Sequence, residues 1–254
     1  MSGATGVMAI ILLETAVGGA VLLWASGVYG AVRRGFFALT GCTIAACAAG
    51  AWAITRAELT PGVAAGALPA LAVFTVLAVV WQLLLAARQE TAARVAGLAT
   101  AAAGVVALVL FAGVRVRAPA LAVIELALGS LFLGSTLYVL LLGHWYLVER
   151  RLTTRHMINS SYIYGAGVVA AAVGTALSAR NPAPDAQNLS PLIGVPVVTV
   201  LLAAGFVGIC ALIAPFVWKL AREGGRSIQA ATGYFYLAVI MAFSAEMAAK
   251  LRFF

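Results

Sequence analysis

The chain has 254 residues, 9% of them charged and 64% hydrophobic, with a mean hydropathy of +1.07 and a formal charge of +8. A soluble domain carries roughly a quarter charged residues, so a water-soluble fold is excluded and lipid is the solvent that this composition fits. The sixteen basic residues stand singly or in pairs between apolar runs, without the basic stripe that nucleic acid requires, and read as topology signals and anchors.

Long apolar runs decide for helices, because a spanning helix needs about 20 apolar residues while a barrel shows alternating segments of about ten. Breaks at charged residues, proline and glycine predict an all-α integral membrane protein of about eight transmembrane helices, near 7–32, 36–55, 63–87, 93–114, 119–148, 157–179, 191–218 and 228–249. Met1–Thr5 carries no side-chain charge and the run behind it exceeds the core of a signal peptide, so the first helix is expected to remain in the protein.

Span one opens with Glu14-Thr-Ala16-Val-Gly18-Gly19. A carboxylate in hydrocarbon costs several kcal/mol unless it is paired, protonated or beside water, which makes Glu14 a candidate functional residue. Gly18 lies on the same helix face one turn deeper; a missing side chain there lets another helix approach closely or leaves room for a ligand. Span two carries Cys42 and Cys47 and span seven Cys210, with no C-x-x-C pair, so neither a disulfide framework nor a thiolate metal site is indicated. Span three holds Pro69 and, beside Trp81, the polar Gln82.

Span five repeats the opening motif as Glu125-Leu-Ala127-Leu-Gly129-Ser130, again E-x-A-x-G-[GS], which adds Glu125 and Gly129 as candidates. The span closes on Gly143-His144-Trp145-Tyr146-Leu147-Val148-Glu149-Arg150-Arg151. At 1.5 Å per residue His144 stands about 28 Å from Glu125, so the two belong to opposite membrane faces. His156 begins span six, and the hairpin can bring both histidines to one depth, where neutral imidazoles are able to ligate a haem iron. His144, Tyr146 and His156 therefore form a candidate site on the predicted cytoplasmic side, although tryptophan and tyrosine beside arginine are also what an interfacial belt looks like. No second histidine pair occurs, so haem b is the less favoured cofactor.

Asn159, Ser160, Ser161, Tyr162 and Tyr164 give span six a polar start that suits a cavity or interhelical hydrogen bonds. Pro196 opens span seven as Pro69 opens span three, while Pro215 comes late and is unmatched. In span eight, Tyr234 and Tyr236 precede Glu246, which lies one turn before Lys250. Three carboxylates, Glu14, Glu125 and Glu246, are thus expected at similar depth near the outer surface, where a proton-handling or quinone-headgroup site can be built.

Arg33, Arg34, Arg88, Arg94, Arg150, Arg151, Arg155, Lys219, Arg222 and Arg226 follow odd-numbered spans, against Arg56, Arg115, Arg117, Arg180, Lys250 and Arg252 on the other side. The excess predicts cytoplasmic odd loops and both termini outside. The connection around Arg180–Ser190, with Pro182 and Pro184, is too short for a soluble catalytic domain.

Arg88 and Glu90 after span three resemble Arg222 and Glu223 after span seven, and Arg117 aligns with Arg252. Together with the glutamate motif this reads as one four-helix unit written twice, over 1–117 and 118–254. Four spans per unit give parallel copies related by an axis along the membrane normal. No H-E-x-x-H motif or glycine-rich phosphate loop is present, and the single aspartate, Asp185, excludes a paired-aspartate magnesium site. No catalytic or metal-ligating residue is therefore assigned.

Eight spans in two parallel units, both termini outside and a glutamate-and-glycine first span resemble the NrfD-like membrane-anchor family of polysulfide and DMSO reductases. The resemblance is architectural, covers nearly the whole chain and rests on no specific motif; the short length and the G-H-W-Y cluster depart from that family's larger members. It implies a subunit without haem of its own that exchanges electrons between a membrane quinone and a docked iron–sulfur subunit, with Glu14 and Glu125 near the quinone. The leading expectation is an integral membrane subunit of a bacterial respiratory or redox complex, docking partner subunits and binding quinone near the outer surface. A small-solute or proton-coupled transporter and a structural subunit without a ligand site are the alternatives. Arginine outnumbers lysine fourteen to two and alanine is abundant, a bias of GC-rich bacterial genomes that suggests the bacterial inner membrane.

Overall fold

The computed structural model describes residues 3–26, 31–58, 65–115, 118–149, 152–181 and 197–253. Arg117, Arg150, Arg151, Pro182, Pro184, Asp185, Ser190 and Pro196 lie outside the described residues, as does the junction expected at 117/118 on its N-terminal side. The described residues form eight long helices: α1 (Gly3–Ala25), α2 (Arg34–Glu58), α3 (Ala67–Ala86), α4 (Glu90–Phe111), α5 (Pro119–Val148), α6 (Thr154–Ser178), α7 (Val198–Glu223) and α8 (Ser227–Lys250). All eight are long and apolar enough to cross a membrane, and the chain is an all-α, multi-pass membrane protein.

Span edges differ from expectation where short local signals compete with hydropathy. Helix α1 stops at Ala25, well before residue 32, and Val32 returns to the core separately. Helix α7 runs past 218 to Glu223 because the last turn tolerates charge: Arg222 complements the helix dipole and stacks its guanidinium 4.7 Å from the Trp218 ring centre. The α7–α8 turn needs two residues with positive φ, Gly224 at +71° and Gly225 at +55°, a conformation that costs glycine nothing. Helix α5 starts on Pro119, whose fixed φ suits the first helical turn.

Helices α1 and α5 run parallel to one another through the middle of the bundle. Around α1 pack α2 and α4, bridged by α3; around α5 pack α6 and α8, bridged by α7. Outward faces are apolar: Val73, Val76, Val80 and Leu83 make an exposed stripe on α3, as Leu201, Leu212 and Phe216 do on α7. Large apolar residues face outward as well as inward, while charged groups such as Glu14 and Glu125 are kept inside, as a lipid solvent selects.

The central pair meets at glycine. A Cβ on Gly18 would stand 1.8 Å from the Ser130 backbone oxygen, and one on Gly134 would stand 2.5 Å from the Cα of Gly18. Backbone therefore lies on backbone where α1 crosses α5, and no other residue fits at either position.

Candidate functional site

Between the middle of α1 and the first turns of α5 lies a buried cluster of charge, with Glu14 midway along α1 and so deeper than the outer surface expected for it. Its cations come from helix ends: Arg115 follows a 3-10 turn (Ala112–Val114) that ends α4, while Lys250 closes α8 and Arg252 follows it. Its anions are Glu14, Glu125 and Glu246, at 0%, 1% and 5% exposure. Arg115, Lys250 and Arg252 are buried as well. Three of each sign cancel, which lowers the cost of holding six ionisable groups away from water.

Lys250 uses its three donor directions on three partners. Its Nζ lies 2.9 Å from Glu14 Oε1 and 3.4 Å from Glu246 Oε2, and donates to the Glu125 backbone oxygen at 3.0 Å. Glu125 turns its carboxylate the other way: Arg115 donates to Oε1 at 3.1 Å, and Asn181 Nδ2 donates to both oxygens at 3.1 Å. Arg115 also donates to Asn181 Oδ1 at 2.7 Å, and Arg252 to the Asn181 backbone oxygen at 2.5 Å. Phe253 closes the cluster, its ring centre 5.4 Å from the Arg115 guanidinium and 5.9 Å from Lys250 Nζ.

The two carboxylates of the repeated motif are thus unequal. Both oxygens of Glu125 accept hydrogen bonds, whereas Glu14 is held at Oε1 by Lys250 and its Oε2 is buried with no hydrogen-bond partner. The glycines divide the two roles that the sequence left open. Gly18 admits the backbone of α5, and Gly129 makes room for the Glu14 carboxylate, since a Cβ there would stand 2.3 Å from Glu14 Oε1.

Beside this contact, between α1, α4 and α5, runs an apolar slot of about 190 Å³ lined by Gly18, Leu108, Ala127, Ser130 and the lipid-exposed Val105. The Ser130 hydroxyl is buried at the slot without a hydrogen-bond partner. An unpaired buried hydroxyl costs about 1–3 kcal/mol, and a polar group arriving in the slot would recover it.

Reading Arg115, Lys250 and Arg252 as interfacial anchors is corrected here: all three are buried, and apart from the Glu246–Lys250 pair the carboxylates and amide that hold them lie ten or more residues away in sequence. Asn181, which completes the cluster from the end of α6, was missed. A signal for part of this was present, because the register that aligns Arg117 with Arg252 also aligns Arg115 with Lys250.

The opposite face carries the remaining candidates. His144 Nδ1 lies 3.2 Å from the Tyr236 hydroxyl, which ties α5 to α8. Tyr146 donates to the backbone oxygen of Thr153 and so fastens the α5–α6 hairpin, while His156 sits half-buried in the first turn of α6. No group of three His, Cys, Asp or Glu side chains arranged to hold a metal ion occurs among the described residues. Trp145 packs its indole over Gly35, where a Cβ would stand 2.3 Å from the ring, and donates to Glu149 at 3.1 Å. Gln82 fills the space at Gly41 with its amide buried and unpaired.

Comparison with known proteins returned no matching family model, no matching curated protein and no matching solved structure. The resemblance to the NrfD-like anchors accordingly rests on span number and order.

Proposed function

We propose that the chain is a membrane subunit of a bacterial respiratory or redox complex, lying in the inner membrane with both termini outside, and that it binds a quinone at the Glu14 face while partner subunits hold the metal centres. The observation that carries the reading is the slot, which is lined by Gly18, one helical turn from Glu14. The Glu14 carboxylate, its Oε2 without a hydrogen-bond partner, packs on Gly129, and the neighbouring Ser130 offers an unsatisfied hydroxyl to an apolar slot that borders lipid at Val105. A quinone ring entering from the bilayer would meet a hydroxyl donor in the slot and, one helical turn closer to the surface, a carboxyl able to exchange the proton that quinone reduction or quinol oxidation moves. Glu125, held by Arg115 and Asn181, positions the cluster and does not touch the ring.

The test is turnover of a quinol analogue by the complex isolated from its native membrane, with Glu14→Gln and Ser130→Ala compared with wild type. Glu14→Gln is expected to lower quinone-linked turnover at least tenfold at unchanged yield, and Ser130→Ala to raise KM. Unchanged turnover in a Glu14→Gln/Glu125→Gln double variant removes both from the site. Isolation of a colourless protein with no redox partner, stable on its own, would instead favour the transporter reading.

A second reading, a subunit that only holds others in place, is favoured by one observation: both oxygens of the Glu125 carboxylate are hydrogen-bonded by the chain's own residues.

A further inference from the structure

On the face opposite the carboxylates, where α2 and α4 begin and α3 and α5 end, the surface opens into a cavity of about 1010 Å³. That is the upper end of the range of about 300–1,000 Å³ that small-molecule sites span. Arg33, Arg34, Arg88 and Arg94 line it with Glu90 and Glu149, while Phe37 and Leu85 belong to its apolar wall. Four guanidinium groups against two carboxylates leave two positive charges. The glutamates are partly engaged: Glu149 holds Arg33 at 2.8 Å and is itself fixed by Trp145, and Glu90 stands 3.8 Å from Arg34. First-turn residues of α2 and α4 form part of the wall, so two positive helix ends face the same space.

The backbone adds an independent sign. Helix α3 ends in a Schellman turn, with Gln89 N–H donating to the Leu84 oxygen at 3.0 Å and Arg88 N–H to the Leu85 oxygen at 3.2 Å. The left-handed position of such a turn is normally glycine, yet it is held by Arg88 at φ +61°. An L-residue there carries a steric cost of about 1–2 kcal/mol, and strain of this kind persists where a side chain is needed in place. Here that side chain lines the cavity.

We propose that this cavity binds the head group of an anionic phospholipid from the adjoining leaflet, its phosphate on Arg34, Arg88 and Arg94 and its acyl chains running along the apolar wall toward the bilayer. Basic pockets between helices at the membrane surface recognise lipid phosphates in this way, and guanidinium matches phosphate with paired hydrogen bonds. The site is separate from the carboxylate cluster and independent of the quinone reading.

The test is native mass spectrometry of the full-length protein in detergent, titrated with phosphatidylglycerol or phosphatidylcholine, alongside thermal melting. Phosphatidylglycerol is expected to bind more tightly than phosphatidylcholine. Arg88→Gly should lower its affinity about fivefold, equivalent to ~1 kcal/mol, while leaving the melting temperature equal or higher, because glycine fits the turn. Arg34→Gln supplies the same loss without touching the turn. Equal binding of the two lipids, or wild-type phosphatidylglycerol affinity in both variants, overturns the proposal. If millimolar inorganic phosphate raises the melting temperature and phosphatidylglycerol does not, the cavity takes a soluble anion and the lipid assignment fails.

Discussion

Gly18→Ala is the sharpest probe of how the bundle is held together. The new methyl carbon would stand 1.8 Å from the Ser130 oxygen, 2.7 Å from the Ser130 carbonyl carbon and 2.9 Å from the Gly134 Cα. All three are backbone atoms, so no side-chain rotation relieves the overlap and α1 must move away from α5. Restoring an ordinary contact of 3.4 Å takes about 1.6 Å of separation, enough to forfeit much of the dispersion energy along the crossing. Over-packing in a core costs about 1–3 kcal/mol when side chains can adjust; with backbone on both sides we expect about 3 kcal/mol or more. Gly165→Ala is the control, because a Cβ there meets nothing within 4 Å, and helix propensity alone changes its stability by no more than about 1 kcal/mol. Thermal unfolding in one detergent, followed by size-exclusion of the surviving monodisperse protein, should place Gly18→Ala on the order of ten degrees below Gly165→Ala. Melting temperatures within about 2 °C of each other would refute a backbone-to-backbone crossing at Gly18.

Lys250→Met removes the cation shared by Glu14 and Glu246 and should destabilise by about 3–5 kcal/mol, the cost of stranding buried charge; adding Glu14→Gln should recover part of that loss, and a double variant no more stable than Lys250→Met would contradict the ion pair. Orientation is tested in a variant lacking Cys42, Cys47 and Cys210: a cysteine replacing Arg180 should react with a membrane-impermeant maleimide in intact cells and one replacing Arg226 only after lysis. The reverse pattern would invert the topology.

Span number was legible because hydropathy is a long-range average: a run such as 119–148 cannot be read as anything but a membrane helix, and α5 occupies just those residues. Span ends were less so, since Arg222 on Trp218 or the glycine pair at 224–225 are local events that an average blurs. For the site, the rule that an intramembrane carboxylate requires a partner pointed to Glu14 and Glu125, and the helical interval between Glu246 and Lys250 placed them as neighbours. The identity of each partner was not recoverable. Arg115 and Asn181 reach Glu125 across separations of 10 and 56 residues, and nothing in the chain between them marks the approach. The two meanings of the repeated glycine, backbone crossing at Gly18 and carboxylate berth at Gly129, depend on a small axial offset between α1 and α5 to which a sequence motif is blind.

That offset also explains why the crossing and the charges occur side by side. Glycine surfaces let α1 and α5 approach, but they are nearly featureless along the helix axis, so close packing alone leaves their relative height weakly specified. The charges specify it. Glu14, from the first four helices, is neutralised by Lys250 from the last; Glu125, from the second four, is neutralised by Arg115 from the first. Sliding α1 by one turn, about 5.4 Å, would carry Glu14 out of reach of Lys250 and off its berth on Gly129, leaving unpaired charge inside a low-dielectric bundle at a cost of several kcal/mol. Because the Lys250–Glu14 and Arg115–Glu125 pairs both cross between the halves, neither half can complete the network by itself, and the gain from those pairs arrives only when both halves are docked in register. A polar cluster of this kind contributes more to choosing one arrangement than to stabilising it, and that arrangement is the one that seats the Glu14 carboxylate on Gly129 and the Ser130 backbone on Gly18.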